Sequence, residues 1–340
     1  MPLVASAQPK GWDNTVAFVH DPVMAYEDGT YYLFSTGRNI QLMTSKDCKT
    51  WTRPEEALPF TPQWAQDSVP GFRDHMWAPD VIAWHGKWWM AYSCSTFGKN
   101  TSAIGLASTS SLAAHHWDDQ GCIVNSHRND SYNAIDPSLA VDDDDNLWMA
   151  YGSFWDGIQL IRLKSVKRPY NEGGEAITWL KGYEENIVRD NSFRQTTIAR
   201  RYGKNTPKDA SNPTSQYAGV NAIEAPFIFK HDGWYYLFVS WDYCCRGEKS
   251  TYRTVVGRSK NIYGPYLDEN GVDMAQGGGT LVIEGDKKKY EAAGHSAAYR
   301  FGGKDIFICH GYNLEHHGAS TLIQREMEWK DNGFPTLKQP

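Results

Sequence analysis

Apolar and polar positions alternate along this chain in short runs, and one phrase recurs five times: an apolar run, a tight polar or glycine turn, then an aromatic run ending in small residues. The copies are residues 23–36 with the turn at 27–30, 81–93 with the turn at 85–87, 139–153 with the turn at 142–146, 227–240 with the turn at 231–233, and 297–309 with the turn at 301–303. Runs of this length, rich in aromatic and branched residues and closed by Asp-Gly, His-Gly or Gly-Gly, predict β-hairpins. Third strands follow at 40–43, 103–107, 158–161, 254–257 and 320–323. From Gly29 to Gly86, Asn146, Gly233 and Gly303, successive turns lie 57, 60, 87 and 70 residues apart. Each interval holds a four-stranded sheet with loops. Five such sheets set radially predict an all-β, five-bladed β-propeller, a single domain over residues 1–340. The long third interval marks an insertion at about 171–219 between blades three and four.

The repeats also place chemistry. In an up-and-down blade the innermost strand starts on one face of the disc, so Asp21, Asp136 and Glu224, each near a proline that opens an inner strand, come together near the axis. Ala78-Pro79 takes the same place in blade two and His295 in blade five. An Asp before Pro is by itself an ordinary turn cap. Three carboxylates at one place repel, which pushes at least one toward its protonated form and supplies the acid and base that glycoside cleavage needs. The loops reaching the same face carry Trp77, Phe97, Phe154 and Trp155, whose loop positions favour stacking on a sugar over burial in the core. His295 has two readings, a hydrogen-bonded core histidine or the single protein ligand of an axial cation. Calcium wants several oxygens, so water would complete the shell. The acidic run 142–145 reads as a solvated turn on the far face.

Composition narrows the function. Aromatics make up 14% of the chain, with 14 Trp and 19 Tyr, which favours sheet. No stretch approaches the roughly 20 apolar residues that span a bilayer, so no membrane partner is expected. Net charge is -6 with the basic residues dispersed, which argues against nucleic acid and for an uncharged substrate. The six cysteines lack zinc spacing, and the adjacent Cys244 and Cys245 could form a disulfide or stay reduced. The first residues lack the basic and apolar regions of a secretion signal.

The motifs, in order, are His20-Asp21-Pro22-Val23, His75-Met76-Trp77-Ala78-Pro79-Asp80, Ser95-Thr96-Phe97-Gly98-Lys99-Asn100, Tyr132-Asn133-Ala134-Ile135-Asp136-Pro137, Gly152-Ser153-Phe154-Trp155, Asn221-Ala222-Ile223-Glu224-Ala225-Pro226, Cys244-Cys245-Arg246-Gly247 and Gln276-Gly277-Gly278-Gly279. Over nearly its whole length the chain resembles the endo-1,5-α-L-arabinanases of glycoside hydrolase family 43. The resemblance implies an inverting hydrolase of arabinan or arabino-oligosaccharides, endo-acting, with an exo-acting arabinanase or an arabinofuranosidase or xylosidase of the same fold as the alternative. A carbohydrate-binding propeller without turnover is the non-enzyme alternative. The resemblance makes Asp21 the general base, Glu224 the general acid and Asp136 the residue that orients the acid and raises its pKa. It lines the sugar sites with Gly98, Asn133, Ala134, Ile135, Ser153, Phe154 and Trp155. It also makes His295 the one protein ligand of an axial calcium, with no organic cofactor. A monomer is expected, placed outside the cytoplasm, extracellular or periplasmic, with a cytoplasmic place as the alternative. The segment around 171–219 is expected to border the cleft through Tyr183, Phe193, Arg200, Arg201, Tyr202 and Tyr217.

Overall fold

The computed structural model describes residues 13–169, 183–201 and 221–339. All five predicted hairpins form, as Val23–Glu27 with Thr30–Ser35, His75–Trp84 with Lys87–Cys94, Ser138–Val141 with Leu147–Tyr151, Ile223–His231 with Trp234–Trp241, and Tyr290–Phe301 with Lys304–Asn313. Third strands follow at Gln41–Ser45, Ser102–Thr109, Ile158–Pro169, Arg253–Ser259 and Ala319–Trp329, and an outer strand completes each sheet. Four of the turns have two adjacent residues in the left-handed region, such as Asp28 (φ 46°) with Gly29 (φ 75°). That geometry matches the twist of a hairpin and explains why glycine stands at the second position. Blade three instead uses a wider turn, in which the Asp142 Oδ1 accepts from the backbone N–H of Asp144 and Asn146.

The first strands of the five blades touch one another in cyclic order, each against the next and the fifth against the first, which makes the fold a closed five-bladed propeller. Closure is reinforced by the segment before blade one: Val19 donates to the Ser320 carbonyl and the Ala17 carbonyl accepts from Leu322. Packing on both faces makes the inner blade strands nearly all buried, as in Ser102–Thr109, and aromatic residues such as Trp89, Tyr92 and Phe238 fill the space between sheets. The acidic turn of blade three, predicted to be merely solvated, also joins neighbours. Trp84 of blade two donates to Asp145, and Tyr235 of blade four donates to Asp143.

Part of the predicted insertion is blade structure. Tyr183–Arg189 is the outer strand of blade three, and Thr196–Ala199 pairs with the other end of the same third strand. Residues 171–182 and 202–219 of that segment, with Tyr202 and Tyr217, lie outside the described residues. Of the cleft-bordering groups expected there, Phe193 packs edge-on against the core Trp148, Arg200 forks onto Asp156, and Arg201 forms a buried ion pair with Asp242. None of the three lines the cleft. Phe193 and Arg200 hold their chain against blade three, and Arg201 ties it to blade four.

Candidate active site

One backbone feature is repeated around the axis. Just before each inner strand or within its first half, one residue sits in the left-handed region: Asp21 (φ 56°), Ala78 (φ 43°), Asp136 (φ 57°), Ala225 (φ 54°) and His295 (φ 52°). Non-glycine residues adopt this conformation at a cost, so the surroundings must hold it. They do so through a ring of hydrogen bonds between blades. Ala78 N–H donates to Thr36 Oγ1, Asp136 N–H to Ser93 Oγ, His295 N–H to Ser240 Oγ and Asp21 N–H to His310 Nδ1. Every acceptor comes from the end of the second strand of the preceding blade. This is the role of the small residues that close each repeat.

The ring is rerouted at blade four. Glu224 stands one residue ahead of the left-handed position, so it does not share the register of Asp21 and Asp136, as the similar motifs suggested. The strand bulges between Glu224 and Phe227 as the first strands of blades two and five do between Trp77 and Asp80 and between Gly294 and Ala297, so Glu224 takes the place that Trp77 and Gly294 hold there, ahead of the left-handed residue. Ser153, which by position would serve Ala225, donates instead to Glu224 Oε2 at 2.8 Å, and Tyr252 OH donates to Oε1 at 2.8 Å. Ala225 N–H then donates to Asp136 Oδ2 at 3.1 Å. Asp136 therefore holds the backbone next to Glu224.

The three carboxyls are buried but unequal. Burial disfavours charge on Asp21, yet the facing rings of His20 and His295 outweigh it and hold the carboxyl well below its usual range. Both rings place Nδ1 at 2.8 Å from Asp21 Oδ1, and Thr36 donates to Oδ2 at 2.5 Å. Burial pushes Glu224 up, outweighing its two hydroxyl donors. Burial also drives Asp136 well above the usual range, with repulsion from Glu224 and Asp21 adding to it. Asp21 is thus held toward its charged form, while Asp136 and Glu224 are both biased toward holding a proton. Carboxyls biased in opposite directions share one cleft.

Histidines surround Asp21. His310 accepts the Asp21 N–H at Nδ1 and stacks on His20 with 4.0 Å between ring centres. Burial, with His20 beside it, holds its pKa well below the usual value, so the ring is neutral. For His295, burial opposes charge, but Asp21, Asp136 and Glu224 push the pKa up to about 9. Sequence reasoning missed His310, Thr36 and Tyr252. Thr36 could have been found as the closing residue of its repeat, whereas Tyr252 arrives from a loop that carries no repeat signal.

The cleft is lined by Trp77, Phe97, Gly98, Asn133, Ile135, Ser153 and Trp155 around the carboxylates and His295, and encloses about 260 Å³. The disulfide Cys244–Cys245 adds to its wall, with Cys245 Sγ 3.7 Å from His20 Nε2. Two expected wall residues are elsewhere. Ala134 is fully buried, and Phe154, with φ 55°, turns its ring inward against Tyr243 and Ala222. In the 153–157 loop the aromatic pair divides its work, Phe154 anchoring and Trp155 facing the cleft. Asn221 holds this loop by donating to the Trp155 carbonyl at 2.7 Å while accepting Arg201 N–H at 2.7 Å.

The family model described as glycosyl hydrolases family 43 matches residues 13–335. The extracellular exo-α-(1→5)-L-arabinofuranosidase of Cellvibrio japonicus is 39% identical over 94% of this chain and 86% of its own length. The extracellular endo-α-(1→5)-L-arabinanase 1 of Bacillus subtilis is 34% identical over 98% of this chain and 91% of its own. Among solved structures, an exo-1,5-α-L-arabinanase from a bovine ruminal metagenomic library superposes with a TM-score of 0.82 at 45% identity, covering 96% of this chain and 99% of that one.

Proposed function

The chain belongs to glycosyl hydrolases family 43, and from that premise we propose that it hydrolyses the α-1,5-L-arabinofuranosidic bonds of arabinan with inversion, attacking internal bonds. One observation carries the chemistry: Asp21 and Glu224 share a cleft with pKa values displaced in opposite directions. Asp21 draws a proton from water as the water attacks the anomeric carbon. Glu224 delivers its proton to the departing glycosidic oxygen, and Asp136 keeps that carboxyl oriented and protonated. Trp77, Phe97 and Trp155 offer flat faces to the furanose rings.

Proton NMR of the first product from linear arabinan tests this directly. The α linkage should yield β-arabinose ends initially, and α ends would overturn the role given to Asp21. A second reading, release of short products from chain ends, is favoured by the exo-acting names of two relatives at 39% and 45% identity. Viscosity falling faster than reducing ends appear supports internal attack, and the reverse supports the second reading. We place the protein outside the cell, as both curated relatives are named extracellular, and the Cys244–Cys245 disulfide suits an oxidising compartment.

His295 fits a calcium ion by charge more than by ligand number. Three carboxyls face its ring, and the negative field that draws a proton onto it would equally draw a cation. Among the described residues, neither cluster of three closely spaced ligand atoms includes His295, so water would complete the shell. A bound calcium would supply fixed positive charge that eases the crowding of Asp21, Asp136 and Glu224. The expected result of exhaustive chelation is loss of one calcium per chain by metal analysis, with a lower Tm and reduced activity. His295→Ala should bind none. A chain purified without metal, with activity and Tm indifferent to added calcium, would remove this assignment.

A further inference from the structure

A second hollow, of about 370 Å³, adjoins the cleft and is lined by Gly98, Lys99, Asn100, Thr101, Arg128 and Trp155. Gly98, Lys99 and Trp155 belong to both walls, so the hollow opens beside the cleft. The two differ in charge. The cleft carries three carboxyls, whereas the charged residues lining the hollow, among those described, are the cations Lys99 and Arg128. The nearby Asp130 carboxylate is turned into its own loop, where it accepts His127 N–H at 2.7 Å.

This hollow has a built frame. The buried Asn100 side chain donates from Nδ2 to the main-chain carbonyls of His127, Asp130 and Tyr132, at 3.1, 3.1 and 3.2 Å. Ser126 Oγ donates to the Asn100 carbonyl at 2.6 Å, and Asp156 N–H donates to the Ser131 carbonyl at 2.8 Å. These bonds lock together the segment bearing Lys99, the loop bearing Arg128 and the loop bearing Trp155. Lys99 and Arg128 both bring positive charge to this wall, a feature that neutral arabinofuranose does not use.

We propose that the hollow is a subsite for a carboxylate-bearing sugar, a uronate attached to or neighbouring the neutral chain in the cleft. The guanidinium of Arg128 matches a carboxylate as a two-pronged donor, the Lys99 ammonium adds a point charge, and the Trp155 ring takes the sugar face. This rests on the reading of the cleft as an arabinan site, and it changes the substrate class from neutral arabinan alone to arabinan carrying or bordering acidic sugars.

The test measures binding of trigalacturonate by calorimetry in parallel with hydrolysis of neutral linear arabinan. The wild-type protein should bind trigalacturonate, and the affinity should fall about tenfold or more in Arg128→Gln, as it should in Lys99→Gln. Raising salt from about 50 to about 500 mM should weaken it similarly, because partly exposed charges are screened. Arg128→Gln should keep the wild-type rate on neutral arabinan. No binding of trigalacturonate, or equal binding by wild type and Arg128→Gln, overturns the proposal. A wild-type protein that binds trigalacturonate but leaves neutral arabinan intact would instead overturn the arabinanase reading, so the two failures are separate.

Discussion

Glu224→Gln should lower kcat on linear arabinan by about 10²- to 10⁴-fold, the usual worth of a general acid, with KM changed far less. Glutamine keeps the size of the side chain and the Ser153 and Tyr252 contacts, but it has no proton for an alkoxide leaving group. On an aryl arabinofuranoside whose phenolate departs unaided, the loss should shrink sharply. The pH profile should also change shape. Because burial raises Glu224, the required acid form persists to higher pH than an ordinary carboxyl allows, and wild-type activity falls as pH rises through the raised value. The variant should lack that limb. Stability runs the other way: a carboxyl with a raised folded pKa costs nothing below its unfolded pKa and destabilises progressively as pH rises to the folded one. Glu224→Gln should therefore hold or raise Tm at neutral pH, so a collapse of activity cannot be blamed on unfolding. Near-wild-type turnover of arabinan by a folded Glu224→Gln protein would sink the assignment.

The hairpins were legible because their turns demand particular residues. Asp28-Gly29 and Asp232-Gly233 need two left-handed residues in succession, and few sequences supply them. The convergence of Asp21, Asp136 and Glu224 was legible too, since repetition fixes where an inner strand starts. Register at the acid was not. Asn133-Ala134-Ile135-Asp136 and Asn221-Ala222-Ile223-Glu224 align by eye, yet Ala225-Pro226 takes the place of Asp136-Pro137, so Glu224 falls one residue ahead of the left-handed position. Phe154 and Trp155 are adjacent aromatics in one loop, and which of them turns inward depends on Tyr243 from another blade. The segment after residue 170 looked like an insertion because its outer strand, Tyr183–Arg189, is polar at Glu184, Glu185 and Asn186 and lacks the aromatic phrase of the inner strands. Partners brought from afar, Tyr252 to Glu224 and His310 to Asp21, exist only once the ring of blades has closed.

Asp21→Ala should be the other near-null variant, with kcat on arabinan down by about 10²- to 10⁴-fold, since it removes the group to which the proposed mechanism gives the proton of the attacking water. Its signature differs from that of the acid. Asp21 must be ionised, and His20 and His295 hold its pKa well below the usual range, so wild-type activity should persist in acid and fall only as pH drops through that depressed value. An anion that needs no base can do what water then cannot. Azide should restore turnover of an activated aryl substrate to Asp21→Ala and should give the β-arabinosyl azide, because it enters from the face that Asp21 guarded. Thr36→Val provides the graded control. It leaves the carboxylate but removes the donor to Asp21 Oδ2 and the acceptor for Ala78 N–H, so it should cost kcat far less than Asp21→Ala while lowering Tm through the unpaired backbone group. An α-configured azide from Asp21→Ala, or no loss of arabinan hydrolysis, would show that the water is activated by some other group and would reassign the histidine cage around Asp21 to a structural role.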